Sequence, residues 1–419
     1  MKTKITLLVV MLILATGFIW AAGAEEKAET PGKEAVTEIT WWFGNWNEPR
    51  GTELAKKFEQ ENPGYKVNVE AFVGDGMETK MLVAFRTGAV PDVLAVPNGW
   101  TIPFAKQGYL SNMDDYYSRS GFPADDYIQA AVDTATLDGA VYGVPYRMET
   151  HGFIYNKDLF RAAGLDPNRP PKDWDELLEY AQKLTDPAKR QYGYAITGGG
   201  EKQNTIFLVL PMIWMNGGDV ISADGSKSII NEKEAVEAVR RYTDYLNKYK
   251  VSPPSTLEND GTGIRRLFEQ NVNAMMQQGS YALPNIYDAG IDVGTGLIPA
   301  PKGKDPAVII GGWNYTVPKG VENREAAYKF LDFLTEPENM AFFTDTFPAR
   351  YSALEAERFQ DPILQPFKDM LPFARMQPTL TQWPEIVNVI FTEIQQILLG
   401  AKEVQPAMDD AAKKINQLL

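Results

Sequence analysis

Apolar positions along this chain switch between two periods. The stretch "YKVNVEAFV" sets Tyr65, Val67, Val69, Ala71 and Val73 on one side with polar residues between, the period of a half-buried strand. Just before it, "GTELAKKFEQEN" spaces Leu54, Ala55 and Phe58 along one helical face and stops at Asn62-Pro63-Gly64. "TEITWWF" opens the ordered region, and "PDVLAV" is a short, wholly apolar strand. Strand, helix, strand, helix, strand predicts a parallel sheet with helices on both faces.

The alternation resumes downstream. Asp173 precedes "WDELLEYAQKL" as N-cap with Glu176 three residues on, and Asn231 with Glu234 repeats the device before "AVEAVRRYTDYLNKY". In that helix Val236, Val239, Tyr242 and Leu246 form the expected buried stripe. Asn323 begins the helix "NREAAYKFLDFLT", which Glu336-Pro337 halts, and the helices "PEIVNVIFTEIQQILLG" and "QPAMDDAAKKINQLL" close the chain. At 419 residues the chain exceeds one ordinary core, so two lobes are expected.

Composition then narrows the partners. Hydrophobic content of 44% and charge of 23% describe a soluble globular protein. A formal charge of −14 repels nucleic acid and anionic lipid. Cysteine is absent, which removes disulfides, thiol nucleophiles, zinc–cysteine sites and a lipoprotein anchor. At the N-terminus, Lys2 and Lys4 precede an apolar run from Ile5 to Trp20, and Ala22-Gly23-Ala24 forms a cleavage signal. Residues 1–24 read as a secretory signal peptide and 25–36 as a charged, flexible leader, so an exported, periplasmic protein is expected.

Candidate chemistry is sparse. P-loop, HExxH, GxSxG, EF-hand and full GxGxxG motifs are all missing, and the single histidine, His151, cannot build a histidine metal cluster. No metal and no cofactor are expected. Arg147, Glu149 and His151 gather at the mouth of the strand Phe153-Ile154-Tyr155, where they suit catalytic groups, metal ligands or ligand-orienting groups alike. Of nine tryptophans, Trp20 belongs to the signal and Trp174 opens a helix. Seven others lie at strand ends or loops: Trp41, Trp42, Trp46, Trp100, Trp214, Trp313 and Trp383. Trp41 and Trp42 suit a core. Trp46 and Trp313 stand among Gly and Asn ("FGNWNEP", "GGWNYTVP"), which suits a ligand pocket with an aromatic wall and a polar rim.

The pieces "ITWWFG…FEQENPGYKVNV", "FRTGAVPDVLAV", "FAKQGYLSNMDDY", "DGAVYGVPYRMETHGFIYNKDLFRAAGL", "PPKDWDELLEYAQKL", "NGGDVIS", "FEQNVNAMMQQGSYA", "GGWNYTVPKG", "AAYKFLDFLTEPENMAFF" and "FPARYSA" occur in this order from about residue 37 to the end. Together they resemble the extracellular solute-binding proteins of ABC sugar importers, the family 1 group that includes maltose-binding protein. The resemblance implies an α/β fold of the type II periplasmic binding protein kind, a two-lobed clamshell whose lobes each hold a central sheet flanked by helices and are joined by a multi-strand hinge. It implies a non-catalytic, monomeric receptor that captures a sugar or oligosaccharide between the lobes and docks on membrane permease subunits. Crossovers are expected near Pro145-Tyr146, "PAPKGK" and "FPAR". The N-terminal lobe then spans 37–146 plus 303–347, and the C-terminal lobe 147–302 plus 348–419.

By the same resemblance, Glu149 matches a sugar-binding acidic position, and Asn45 and Trp46 match a ligand-contacting loop. Tyr281 stands where the family often stacks a tryptophan, and Trp383 lies near another aromatic position. Trp100, Trp214, Trp313 and Arg350 fall in cleft-facing segments, while Arg147 has no firm family match. Thr205 and Phe207 replace an acidic and an aromatic maltodextrin contact, which speaks against maltose itself. Two other readings stay open. One is an exported glycoside hydrolase or polysaccharide lyase. The other is a binder of the same fold for a metal ion, phosphorylated polyol or acidic sugar, with Arg147 and Arg350 admitting an anion.

Overall fold

A computed structural model describes residues 36–72 and 76–419. The expected signal peptide, nearly all of the leader, and Val73 lie outside the described residues. Two sheets carry the fold. The first has six strands in the order Phe347–Pro348, Val144–Glu149, Gly311–Thr316, Val93–Pro97, Thr37–Gly44 and Tyr65–Phe72. Thr37–Gly44 runs parallel to both Tyr65–Phe72 and Val93–Pro97, as the strand–helix alternation predicts. Gly311–Thr316 is antiparallel to both its neighbours, an arrangement that the alternation alone does not reveal. The second sheet has four strands in the order Val293–Gly296, His151–Asn156, Asn273–Gly279 and Tyr192–Ala195.

Each sheet is covered by helices whose apolar spacing matches its face. Helix Glu48–Glu61 buries Gly51, Leu54, Ala55 and Phe58. Trp41 is fully buried among Phe43, Tyr315, Phe330 and Phe343. In the second lobe, helix Lys202–Asn216 is apolar on nearly every side because it lies between helices Lys233–Asn247 and Trp383–Leu398.

The capping signals divide. The Asp173 carboxylate accepts from the amides of Asp175 and Glu176, and Glu176 in turn accepts from the Lys172 amide. The second expected box does not form. Helix Lys233–Asn247 starts after Glu232, because the Asn231 side-chain amide donates to Asp409 of the last helix instead. A tertiary hydrogen bond replaces a local one there.

Passages between the sheets fall later in the chain than the sequence suggests. Strand Val144–Glu149 stays in the first sheet to its end, since Glu149 pairs with Gly311, and the chain crosses at Thr150. Thr150 Oγ1 donates to the Phe367 carbonyl at 2.5 Å. The return comes at Ile310, between Val308–Ile309, paired with Ala374–Arg375, and Gly311 of the first sheet. The third passage lies beyond Phe359, whose ring centroid is 6.3 Å from that of Phe347 in the first sheet. Phe367 then covers Gly152, where a Cβ atom would meet its ring at 2.8 Å.

Candidate functional site

The site grows from the strand ends that meet at these crossings. After Gly44 one tight turn, Asn45–Asn47, lifts Trp46 back over the strand end. A Cβ on Gly44 would come within 2.1 Å of the indole, so only glycine lets the ring lie there. Trp46 remains 41% exposed. Its indole meets that of Trp313 edge-on, with centroids 4.9 Å apart at 63°. Trp313 itself is buried, opposite Pro97 on one side and Arg147 on the other. A register shift between Trp313 and Asn314 locally re-aims the strand.

Beside this aromatic wall lies a charged group. Arg147 is buried and bridges two carboxylates, Asp345 at 2.6 Å and Glu149 at 2.8 Å. Burial works against its charge, but Asp345 and then Glu149 outweigh that and hold its proton above the ordinary range. Glu149 is pushed up by burial, with Arg147 pulling the other way. Although Glu149 Oε2 is close to Arg147, it lacks an aligned hydrogen bond. Gly311 again makes room, because a Cβ there would sit 2.4 Å from Glu149 Cγ.

The second sheet faces these groups with Tyr281. Its ring lies across Gly279, where a Cβ would come within 2.2 Å, and its hydroxyl donates to Gln278 Oε1 at 2.7 Å. Burial first, then the Glu149 charge, pushes the phenol well up, with Arg147 opposing. Tyr281 therefore stands in the field of the first sheet's groups. His151 pairs with Gly279, and its ring is 5.2 Å from Phe207 and 6.4 Å from Tyr281. His151 is buried, its Nδ1 has no partner, and burial alone lowers its pKa to about 4. An unsatisfied buried polar group costs about 1–3 kcal/mol, and His151 Nδ1, in a ring 6.4 Å from that of Tyr281, is one.

The remaining candidates scatter. Asn45 is exposed next to Trp46. Trp100 is half-buried in helix Asn98–Lys106, which leaves the strand end beside Trp313. Trp214 and Trp383 lie in the second lobe's core, with their indole N–H groups donating to Asp219 at 3.1 Å and Gln377 at 2.7 Å. Arg350 pairs with Asp126 at 2.7 Å and lies over Tyr127, all within the first lobe. Thr205 is buried against Thr197, while Phe207 reaches His151. Sequence reasoning left the role of His151 open and did not find Asp345 or Gln278. A lone carboxylate in "FFTDTF" carries no local signal, and only the fold brings it to Arg147. Among the described residues no cluster of three or more His, Asp or Glu side chains could hold a metal ion.

The family model for bacterial extracellular solute-binding proteins matches residues 47–341, most of the chain. The chain belongs to that family. Proteins of this family bind small-molecule solutes and work with ABC importer permeases. This solute-binding protein is 30% identical to the sn-glycerol-3-phosphate-binding periplasmic protein UgpB of Salmonella paratyphi A, over 92% of this chain and 93% of the relative. A solute-binding protein of Thermotoga lettingae, solved with α-D-tagatose, is 29% identical with a TM-score of 0.82, covering 91% of this chain and 99% of its own. Another from Agrobacterium radiobacter, solved with ribitol, is 26% identical with a TM-score of 0.78, covering 92% and 100%. The solute-binding protein thus has the two-lobed α/β fold of periplasmic binding proteins.

Proposed function

We propose that this solute-binding protein captures a small carbohydrate or polyol between its lobes, outside the cytoplasm, and delivers it unchanged to an ABC importer. The observation that carries the reading is the partnerless, buried His151 Nδ1 near Tyr281, two residues along from Glu149, whose Oε2 has only the Arg147 guanidinium at 2.8 Å. Hydroxyl groups of a solute would bond to both residues, and the Trp46–Trp313 wall would take an apolar sugar face. Charge-assisted hydrogen bonds of about 1.5–3 kcal/mol each, with one stacked ring, reach the roughly −8 kcal/mol of micromolar binding after ordering costs. The tagatose and ribitol bound by two relatives support a ligand of this class. The glycerol-3-phosphate named for the Salmonella relative supports a polyol that bears an anion.

On this reading the first lobe comprises about residues 37–149 plus 311–360, and the second about 151–309 plus 367–419. The mature protein is a periplasmic monomer freed by cleavage of the signal, and it performs no chemistry on the solute. Native mass spectrometry of freshly purified protein tests this reading. A retained polyol or sugar, rebound by stripped protein in calorimetry, is the expected result. New reducing ends after incubation with oligosaccharides would instead favour the hydrolase or lyase.

A further inference from the structure

The arginines that the sequence offered for an anionic solute are both neutralised. Arg147 bridges Asp345 and Glu149, and Arg350 pairs with Asp126. Two other guanidiniums are not. Arg50, in the first turn of the helix that follows the Trp46 loop, donates to the Thr344 carbonyl at 3.0 Å. Arg358 donates to the same carbonyl at 2.7 Å and lies 4.5 Å from the Phe359 ring centroid. Among the described residues, neither forms an ion pair with a carboxylate. A guanidinium has five N–H donors, so most of those on the two side chains are unused.

Two like charges on one carbonyl oxygen repel each other. Burial and then Arg50 both lower the proton affinity of Arg358, and the charge of nearby Asp345 only partly opposes them. Asp345 is already bonded to Arg147. Thr344 and Asp345 join this pair directly to the charged group beside Glu149, and both side chains, though partly covered, reach solvent, Arg358 more than Arg50.

We propose that Arg50 and Arg358 form an oxyanion subsite at the edge of the solute cleft, taking a phosphate or carboxylate group that the solute carries. A planar fork with free donors matches two oxygens of such a group at once, and an anion there cancels the mutual repulsion. The proposal rests on the reading that the solute sits against Glu149 and the Trp46–Trp313 wall. It adds that affinity depends on the solute's charge.

The test titrates stripped protein by calorimetry with matched probes: glycerol against glycerol 3-phosphate, glucose against glucose 6-phosphate and glucuronate, and inorganic phosphate alone. The charged member of at least one pair is expected to bind about ten-fold or more tightly than its neutral partner. Arg50→Gln and Arg358→Gln should each reduce that ratio, and the double variant should bring it to about one. Phosphate favoured over carboxylate, or the reverse, identifies the oxyanion. Binding of inorganic phosphate alone that the double variant abolishes also supports the subsite. Should the variants unfold, Arg50→Lys with Arg358→Lys keeps the charge but loses the fork, and a reduced ratio is again expected. Equal affinity for charged and neutral members overturns the proposal, as does a ratio that survives both substitutions or a failure of every charged probe to bind at millimolar concentration. The imidazole signal of His151 separates the two claims. If neutral probes move it, the cleft reading stands whatever becomes of the arginines.

Discussion

The Trp46–Trp313 wall and the Trp214–Trp383 pair both looked, in sequence, like tryptophans at the ends of elements. Their surroundings differ. Trp214 and Trp383 are buried among the apolar residues of the second lobe, and each indole N–H has a partner, Asp219 or Gln377. Trp46 lies on bare glycine backbone with 41% of its surface exposed, edge-on to Trp313. The same pairing of a side chain with a glycine recurs at Tyr281 over Gly279 and at Glu149 over Gly311. A tryptophan at a loop is thus a weak sign of a site. A ring laid over a Cβ-free backbone, near an unpartnered buried polar atom such as His151 Nδ1, is a stronger one.

That contrast can be broken by substitution. The largest effect is expected at Trp214, where Trp214→Ala should lower unfolding free energy by about 3–5 kcal/mol in urea titrations. Solute affinity of the folded fraction should hold. Loss of affinity without loss of stability would move Trp214 into the site. Next comes Glu149→Ala, which should weaken solute binding by roughly 2–3 kcal/mol in calorimetry, since it leaves solute hydroxyls unpaired. Unchanged affinity would remove Glu149 from the site.

His151 supplies a pH signature of about 2 kcal/mol. Its pKa is lowered to about 4 when folded, against about 6.5 when unfolded, so the unfolded chain takes up the proton first as pH falls. Stability should therefore decline from about pH 6.5 towards pH 4, by roughly 2 kcal/mol at pH 5, and His151→Gln should lack that part of the decline. Identical pH curves for the two proteins would show that His151 is not buried as described. The smallest effect is expected at Trp46. Trp46→Ala should change unfolding free energy by no more than about 0.5 kcal/mol and cost about 0.5–1.5 kcal/mol of affinity. A melting loss as large as that of Trp214→Ala would cancel the contrast between the two regions.

Much of the fold was legible in local pattern. The parallel β-α-β-α-β start, the Asp173 cap and the helix begun by Asn323 depend on neighbours within a few residues, and the structure bears them out. The Asn231 cap failed because its side chain found Asp409, 178 residues away in the chain. The crossing points were displaced for a similar reason. Strand Val144–Glu149 is prolonged by pairing with Gly311–Thr316, a segment that no local pattern connects to it. For the site, Trp46, Trp313, Glu149 and Tyr281 could be singled out from composition and family resemblance. Asp345, Gln278, Arg50 and Arg358 could not, since each acquires its role from a partner that only the tertiary fold supplies.

The central claim is that solute binds where the two lobes meet, against Glu149, Tyr281 and His151. His151 is the only histidine, so its imidazole gives one assignable signal. Proton–nitrogen NMR of that ring, in stripped protein before and after addition of the retained solute, tests the claim most directly. The account predicts a shift of the Nδ1 resonance that tracks the calorimetric saturation curve and disappears in Tyr281→Ala protein that no longer binds. Full saturation in calorimetry with the imidazole signal unmoved would contradict it.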